Sequence, residues 1–366
     1  MRVLFLMDQM YLHGGTERIL SQKLNYLAEN LNVETHLFTS EQRGYPAVYE
    51  ISPKVVWQDL GINYHRELSY FHPKNLSKVW QHYRILKREI AKLKPDVIMS
   101  VSFSPEQYFL PFLAKDIPKL KEFHSSKYIY PVSTLRKFLD KSLRKYDTLV
   151  VLNETEKSFY NNSNIVVIPN FTDFQSKKYY SEIREKTIIA AGRIAPVKQF
   201  DKLIVIWSTL HREFPDWKVK IFGGGDEQLT EELNRLIKKH HLSSSVSLLA
   251  STPHIESEMQ RASIYAMTSK TECFPMVLLE AQACGLPIIS FDCPTGPKHI
   301  VNHGIDGILV EADNNTAFEN AMRDLLHNES LRIRLGQQAK ENVGLYAKEV
   351  VMKQWFDLFS NSKKDN

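Results

Sequence analysis

Cysteine is scarce in this 366-residue chain, which has only Cys273, Cys284 and Cys293. An odd number of cysteines without ligand spacing argues against a disulfide framework and against a zinc pattern. Free thiols in a reducing cytoplasm are the expectation. Long apolar runs are also missing, since no stretch approaches the roughly 18 consecutive apolar residues that read as a membrane span. Met1 to Met7 is briefly apolar, but Asp8 ends the run and no small-residue cleavage site follows. It reads as a buried first strand and not as a signal peptide. Internal repeats and low-complexity tracts are absent as well, which excludes solenoids and linker arrays. No GxGxxG follows the first strand. Gly223-x-Gly225 follows a later one, but Gln228 stands where a third glycine belongs. That leaves little weight for a nicotinamide enzyme.

What is present is the composition of a globular protein, 43% apolar and 24% charged. The length suits two domains of ordinary size. Charge is uneven: residues 1–180 carry 25 Lys and Arg against 18 Asp and Glu, and residues 181–366 carry 22 against 24. The first half therefore has more to offer an anionic partner.

Short apolar or β-branched runs alternate with longer stretches of helical period. The runs Val3–Met7, Glu34–Thr39, Val97–Val101 and Thr148–Leu152 predict strands in the first half. Thr187–Ala191, Lys218–Phe222, Val246–Leu249, Ile264–Thr268, Ile288–Phe291 and Ile308–Val310 predict strands in the second. Ile19, Leu20, Leu24, Leu27 and Leu31 fall on one helical face. Such alternation predicts an α/β fold of parallel sheets with crossover helices. The polar stretch from Pro169 to Lys186 is the expected boundary. Ligands of such sheets bind beyond the carboxyl ends of the strands, so a ligand is expected in a cleft between two halves.

Four segments carry chemistry. Thr271 to Pro287 reads as a turn, a helix and a turn, with Pro275 expected at the first helical position and Gly285 just past the end. The free N–H groups of Met276, Val277 and Leu278 then form an anion site with the helix dipole. Glu272 and Glu280 would repel a phosphate, so accepting hydrogen bonds from sugar hydroxyls is their natural role. Arg193 and Lys198 follow a predicted strand and can clamp a diphosphate and stabilise a leaving group. Gly14 and Gly15 join the first strand to the first helix, which Thr16 can cap. Lys121 to Ser126, with His124, follows another expected strand. Taken singly, each has an ordinary structural explanation: a solvated loop cation, a surface glutamate, a structural histidine, a turn. Together, in order and at strand ends, they point to one function.

These segments resemble family 4 of the retaining glycosyltransferases with the GT-B fold. The resemblance rests on Gly14-Gly15-Thr16-Glu17, His124, Ile168-Pro169-Asn170, Gly192-Arg193-x4-Lys198 and Glu272-x7-Glu280, and runs from about residue 3 to about 311. Asp292-Cys293-Pro294-Thr295-Gly296-Pro297 resembles a variant found among transferases building bacterial surface polysaccharides. Two departures are Cys273, where the family often has glycine, and Gly223-Gly224-Gly225, where it has Gly-Asp-Gly.

The resemblance implies two Rossmann-like doubly wound domains facing a central cleft. The first, 1–170, would bind the acceptor, with a C-terminal helix near 346–361 packing back on it. The second, 186–345, would bind the nucleotide sugar. Arg193 and Lys198 would hold the donor diphosphate, Glu280 the ribose, and Glu272 the donor sugar. The amides of Phe274, Pro275's successors Met276 and Val277, and Leu278 would hold sugar hydroxyls and phosphate. Gly14 and Gly15 would approach the phosphate, and His124 would sit by the transferred sugar and the acceptor. Glu272, His124, Arg193 and Lys198 are thus the catalytic candidates. Such enzymes need no metal or other cofactor, and the sequence has no Asp-x-Asp triplet.

The expected reaction is retaining transfer of a hexose or N-acetylhexosamine from a UDP-sugar, with GDP an open choice, to a lipid-linked glycan. A nucleotide-sugar epimerase or hydrolase and a catalytically silent sugar-binding scaffold are the alternatives. Residues 115–145 carry nine Lys and Arg against three Asp and Glu, interleaved with Tyr128, Ile129, Tyr130 and Phe138. That pattern suits a peripheral membrane contact or an ordinary solvated face. A cytoplasmic protein, peripheral on the inner face of the cell membrane, is the expectation. No nucleic-acid module is visible.

Overall fold

The computed structural model describes residues 1–70, 72–127, 139–160, 164–174 and 184–363. The chain divides into two compact units: Met1–Pro169 with Glu349–Asn366, and Asn170–Lys348.

The first unit is built on a seven-stranded parallel sheet. Its strands are β1 (Arg2–Met7), β2 (Glu34–Thr39), β3 (Val56–Asp59), β4 (Val97–Ser100), β5 (Lys119–Glu122), β6 (Thr148–Val151) and β7 (Ile165–Val167), in the order β3-β2-β1-β4-β5-β6-β7. The central strand β1 is buried from Val3 to Met7, and Phe5 lies in register with Leu37 on one side and Met99 on the other. Helix α1 (Gly15–Asn30) places Ile19, Leu20, Leu24 and Leu27 inward. Helix α2 (Pro73–Leu93) buries Leu86 and Ile90 and starts on His72, whose ring accepts from the Lys74 amide. Short helices α3 (Glu106–Phe109) and α4 (Glu154–Ser158) follow β4 and β6.

The second unit carries a six-stranded parallel sheet of β8 (Thr187–Ala191), β9 (Lys218–Phe222), β10 (Val246–Leu249), β11 (Ile264–Met267), β12 (Ile288–Asp292) and β13 (Gly307–Glu311), ordered β10-β9-β8-β11-β12-β13. Its helices are α5 (Phe200–Leu210), α6 (Glu227–Lys239), α7 (Ile255–Arg261), α8 (Met276–Ala283), α9 (Asn315–His327) and α10 (Glu329–Asn342). The core gathers Trp207, Ile221, Ile289, Phe291 and Phe318. Phe291 and Phe318 meet at 4.7 Å. A last helix, α11 (Lys348–Ser362), returns to the first unit, where Phe359 packs edge-on against Phe5 at 5.9 Å.

In each sheet the strand order reverses once, between β1 and β4 and between β8 and β11. Loops leaving two neighbouring strands in opposite directions open a crevice there. Those loops hold the residues that matter next.

Candidate active site

In the second unit the chain leaves β8 at Ala191 and passes Gly192, Arg193 and Lys198 before α5. It leaves β11 at Met267 and passes Glu272 before α8. The two loops meet: the Lys270 amide donates to Val197 O at 2.8 Å, and the Thr268 hydroxyl donates to Gln199 O at 2.9 Å. Lys198 Nζ donates to Glu272 Oε1 at 2.6 Å, with both side chains under a fifth exposed. The charge of Glu272 is therefore met inside the protein, which removes the repulsion a phosphate would otherwise feel. Arg193 is exposed and has no ion pair among the described residues.

Beneath the loops, the Tyr265 hydroxyl donates to Ala191 O at 3.1 Å and accepts from Ala191 N at 3.3 Å. Burial pushes the Tyr265 phenol well up, and Glu280 and Glu272 push it further. Glu280 itself is only 3% exposed, so it is no surface residue of an amphipathic helix.

Two expectations at α8 need correction. Pro275 is the cap and not the first helical residue, which is Met276. The Leu278 amide is not free, because it donates to Pro275 O at 2.9 Å. Met276 and Val277 remain as first-turn donors. Phe274 and Leu278 are buried, and the Phe274 ring packs against Tyr346 at 5.8 Å. Their side chains belong to the core, so only their backbone borders the loop.

Sequence reasoning missed what holds Glu272. The loop after β12 runs beside it as a short parallel bridge to Thr295. Glu272 N donates to Pro294 O at 2.9 Å, Thr295 N donates to Glu272 O at 3.1 Å, and the Thr271 hydroxyl donates to Pro294 O at 2.9 Å. The motif Asp292 to Pro297 was the available signal. The glycines after β9 also have a packing reason. A Cβ on Gly223 would stand 2.2 Å from Gly192 O, and one on Gly225 2.5 Å from Ile194 O. They let the β9 loop lie against the Arg193 loop, whereas at Gly224, where the departure from Gly-Asp-Gly falls, a Cβ would meet only Ser251 Oγ at 3.6 Å, an ordinary contact.

All three cysteines are free and buried. Burial pushes Cys284 and Cys293 up to about 12. A thiol that stays protonated is a poor nucleophile. The native protein is expected to resist iodoacetamide at pH 8 and to be alkylated only after denaturation. Rapid native labelling at Cys293, read by mass spectrometry, would count against this burial.

In the first unit, Gly14 caps α1 by its backbone, and Thr16 lies inside the helix, so Thr16 is not the cap. The Glu17 carboxylate folds back over Gly14 and accepts from Gln9 Nε2 at 2.5 Å. Gly15 is exposed, with nothing within 4 Å of where a Cβ would be. Lys121 and Glu122 are the last residues of β5 and not a loop after it. His124 follows them, with Nε2 3.1 Å from Glu122 Oε1. Beyond that ion-pair contact the nitrogen has no hydrogen-bond partner. Glu122 also accepts from Lys23 Nζ at 2.6 and 2.7 Å, and Lys23 lies 3.6 Å over the Trp355 ring of α11. Burial opposes the charge on Glu122, yet Lys23 and His124 hold its pKa down at about 2.

A second polar group, unforeseen from sequence, gathers at the carboxyl ends of β1, β2, β4 and β5. Arg66 Nε donates to Glu41 Oε2 at 2.9 Å and stands 3.6 Å from Asp8 Oδ2. Ser100, Ser102 and Ser104 donate to Glu106, and Lys121 Nζ approaches Ser100 Oγ at 3.3 Å. Burial lifts Glu106 to about 7 and lowers Lys121 to about 8. Asp8 Oδ1, Ser40 Oγ and Glu41 Oε1 are buried without a hydrogen-bond partner. Unsatisfied acceptors of this kind suit a ligand rich in hydroxyl donors.

The stretch 115–145 is not a uniform basic face. Lys119 and Lys121 are buried, and Lys119 Nζ donates to Ala114 O and Ile117 O at 2.7 Å. Tyr128, Ile129, Tyr130 and Phe138 lie outside the described residues. Among those residues no helix is long and apolar enough to cross a membrane.

Two family descriptions match consecutive parts of the chain. Glycosyltransferase Family 4 matches residues 13–176, and Glycosyl transferases group 1 matches residues 171–342. The chain belongs to these glycosyltransferases. The transferase is 28% identical to the amylovoran biosynthesis glycosyltransferase AmsD of Erwinia amylovora, over 98% of this chain and 99% of that one. It is 32% identical to an uncharacterized glycosyltransferase of Haemophilus influenzae, over 61% of this chain and 64% of that one. Its fold is that of Staphylococcus aureus TarM, solved with fondaparinux, α-GlcNAc-glycerol and UDP. That match has a TM-score of 0.78 at 14% identity and covers 98% and 99% of the two chains. The transferase therefore has the GT-B fold of two Rossmann-like domains.

Proposed function

We propose that the transferase moves a hexose or N-acetylhexosamine from a UDP-sugar to a lipid-linked glycan, with retention of configuration, in bacterial polysaccharide biosynthesis. The observation that carries this is the Lys198–Glu272 pair where the loops after β8 and β11 meet ahead of α8, with Arg193 of the same β8 loop exposed and without an ion pair among the described residues. Arg193 and Lys198 meet the diphosphate, Met276 and Val277 add amide donors, Glu272 takes the donor sugar and Glu280 the ribose. An acceptor hydroxyl attacks the anomeric carbon as its bond to the diphosphate oxygen breaks, and the proton passes to the departing phosphate. The protein supplies position and charge stabilisation. No metal or cofactor is needed, because Arg193, Lys198 and the helix amides meet the developing charge. The UDP choice is supported by the TarM complex, and the polysaccharide role by AmsD.

The first unit takes the acceptor. Its proposed residues are His124, together with Asp8, Ser40 and Glu41, whose open acceptor atoms suit sugar hydroxyls, while Gly14 and Gly15 approach the donor phosphate. Intact Arg193, Lys198, Glu272 and Glu280 argue against a silent scaffold. The transferase relatives argue against an epimerase or hydrolase.

The test is thermal stabilisation against UDP, GDP, ADP, dTDP and NAD. A ligand at 100 times its Kd raises apparent stability by about 2.7 kcal/mol. UDP is expected to raise the midpoint, and Arg193→Ala to remove that rise. Stabilisation by NAD alone, or an undiminished UDP effect in the variant, would overturn the assignment.

A further inference from the structure

Two loops at the carboxyl ends of β1 and β2 carry rings that the reaction proposed above leaves unused. The loop from Asp8 to Gly14 brings Tyr11, Leu12 and His13, and the loop from Ser40 to Val55 brings Tyr45 and Tyr49. Tyr45 is 58% exposed and Leu12 46% exposed, and His13 is exposed as well. The Tyr11 and Tyr45 rings meet at 5.1 Å with a tilt of 52°, and the His13 and Tyr49 rings meet edge-on at 6.4 Å. Each pair takes one ring from each loop. A single exposed ring is ordinary, but a cluster of them marks a binding surface.

The two loops are stitched together. The Glu41 amide donates to Asp8 O at 2.8 Å, the Met10 amide to Gln42 Oε1 at 2.9 Å and the Val48 amide to Met10 O at 2.9 Å. Gln42 Nε2 donates in turn to Tyr45 O at 2.8 Å. The turn that presents Tyr45 is closed by its own amide on Gln42 O at 3.0 Å, with φ of 54° at Arg43 and 76° at Gly44. Two left-handed residues in succession make a tight turn, and glycine suits the second of them. Arg43 is fixed there by its Nη2, which donates to Tyr64 O at 2.8 Å. At the far end Asn25 of α1 accepts from the Ser52 amide at 2.8 Å and donates to Glu50 O at 3.0 Å. A surface ordered before its ligand arrives loses little freedom on binding.

The chemistry of the rings selects the ligand. A pyranose has an apolar C–H face and a rim of hydroxyls. Tyrosine and histidine offer a flat apolar face with a polar tip, and tyrosine does so at low conformational cost. The same two loops hold Asp8, Ser40 and Glu41, whose open acceptor atoms suit hydroxyl donors. Tyr11 is three residues from Asp8 and Tyr45 is four from Glu41. Their backbones therefore lie no more than about 11 and 14 Å from those residues, within the span of a short oligosaccharide.

We infer that these rings form a platform for acceptor sugars beyond the one that is extended, so that the transferase lengthens an oligosaccharide and not a single sugar. The inference rests on the acceptor role proposed for the first unit. An earlier glycosyl transfer must then supply the oligosaccharide.

The experiment is ligand-detected NMR titration of the full chain, without donor, comparing N-acetylglucosamine with chitotetraose and glucose with cellotetraose. Ring faces read the C–H surface and not the hydroxyl pattern, so each tetrasaccharide is expected to bind at least about tenfold more tightly than its monosaccharide. Tyr45→Ala is expected to remove about a tenfold factor from the tetrasaccharides, and Tyr45→Phe to retain it. Tyr45 is exposed, and an unchanged unfolding midpoint checks the fold. Equal binding of monosaccharide and tetrasaccharide would overturn the inference. So would an undiminished preference in Tyr45→Ala, or a loss in Tyr45→Phe as large as in Tyr45→Ala. A smaller UDP-induced thermal shift in Tyr45→Ala would place the ring on the donor and overturn it as well. The UDP shift and its loss in Arg193→Ala need no glycan, so the donor reading and the platform can fail separately.

Discussion

Lys23→Met is expected to lower the unfolding midpoint of the first unit by roughly 10 °C. Lys23 and Glu122 are each about 1% exposed, and both oxygens of the carboxylate are held by the ammonium. Removing one partner of a buried pair leaves a charge that water cannot reach, which costs about 3–5 kcal/mol. In a unit of this size each kcal/mol moves the midpoint by roughly 2–4 °C. Lys23→Met/Glu122→Gln removes both charges and is expected to recover most of the loss. Chemical denaturation of the two variants measures this. A loss under about 1 kcal/mol in the single variant would mean that the pair is not desolvated as described.

The pair also has a pH signature. The Glu122 pKa is depressed in the folded protein, so the stabilisation is present above the ordinary carboxylate range near pH 4.5 and is lost as pH falls toward about 2. Lys23 is pulled down by burial, which sets part of that gain against its own cost. The wild type should lose stability over this acid window more steeply than Lys23→Met/Glu122→Gln.

Glu272→Gln is expected to cut the turnover number by about 100- to 1,000-fold while leaving UDP binding intact or tighter. Glu272 occupies Lys198 in the protein as it stands. Neutralising it frees the ammonium for the diphosphate, so nucleotide affinity has no reason to fall. Transfer should fail because the carboxylate assigned to the donor sugar is gone. Lys198→Ala is expected to behave in the opposite sense, weakening UDP binding. Kd by calorimetry and kcat by product formation separate the two. If Glu272→Gln turned over at the wild-type rate, the assignment of the donor-sugar carboxylate would be wrong.

Much of the second unit was legible because its strands are short, apolar and bounded by turns. All six lie where the runs at Thr187, Lys218, Val246, Ile264, Ile288 and Ile308 put them, within a residue or so at each end. Two strands of the first unit, β3 and β7, escaped notice, and a third, β5, was expected to end before Lys121. β3 is a short edge strand with Val56 exposed, and an edge needs no apolar face. β7 has only three residues. β5 reads Lys-Leu-Lys-Glu and is buried at every position. A hydrophobic pattern cannot place the end of such a strand, because its charges are accommodated by partners distant in sequence. Lys121 lies by Ser100 and Ser102, and Glu122 by Lys23 of α1.

By itself, the sequence determined the alternation of strands and helices, the chemical types at the strand ends and the family. Each of these depends on residues close together in the chain. Only the tertiary structure decided which charges are spent and which are free. Among the described residues Lys198 has an ion pair and Arg193 has none. Leu278 has lost its amide to Pro275, and Glu272 is clamped by the loop of Thr295. Of the basic residues in the first half, Lys23, Lys119 and Lys121 are buried while Arg84 and Lys87 face solvent. Whether a lysine faces water or a carboxylate depends on what the fold brings within about 3 Å of it, and sequence distance does not limit that choice.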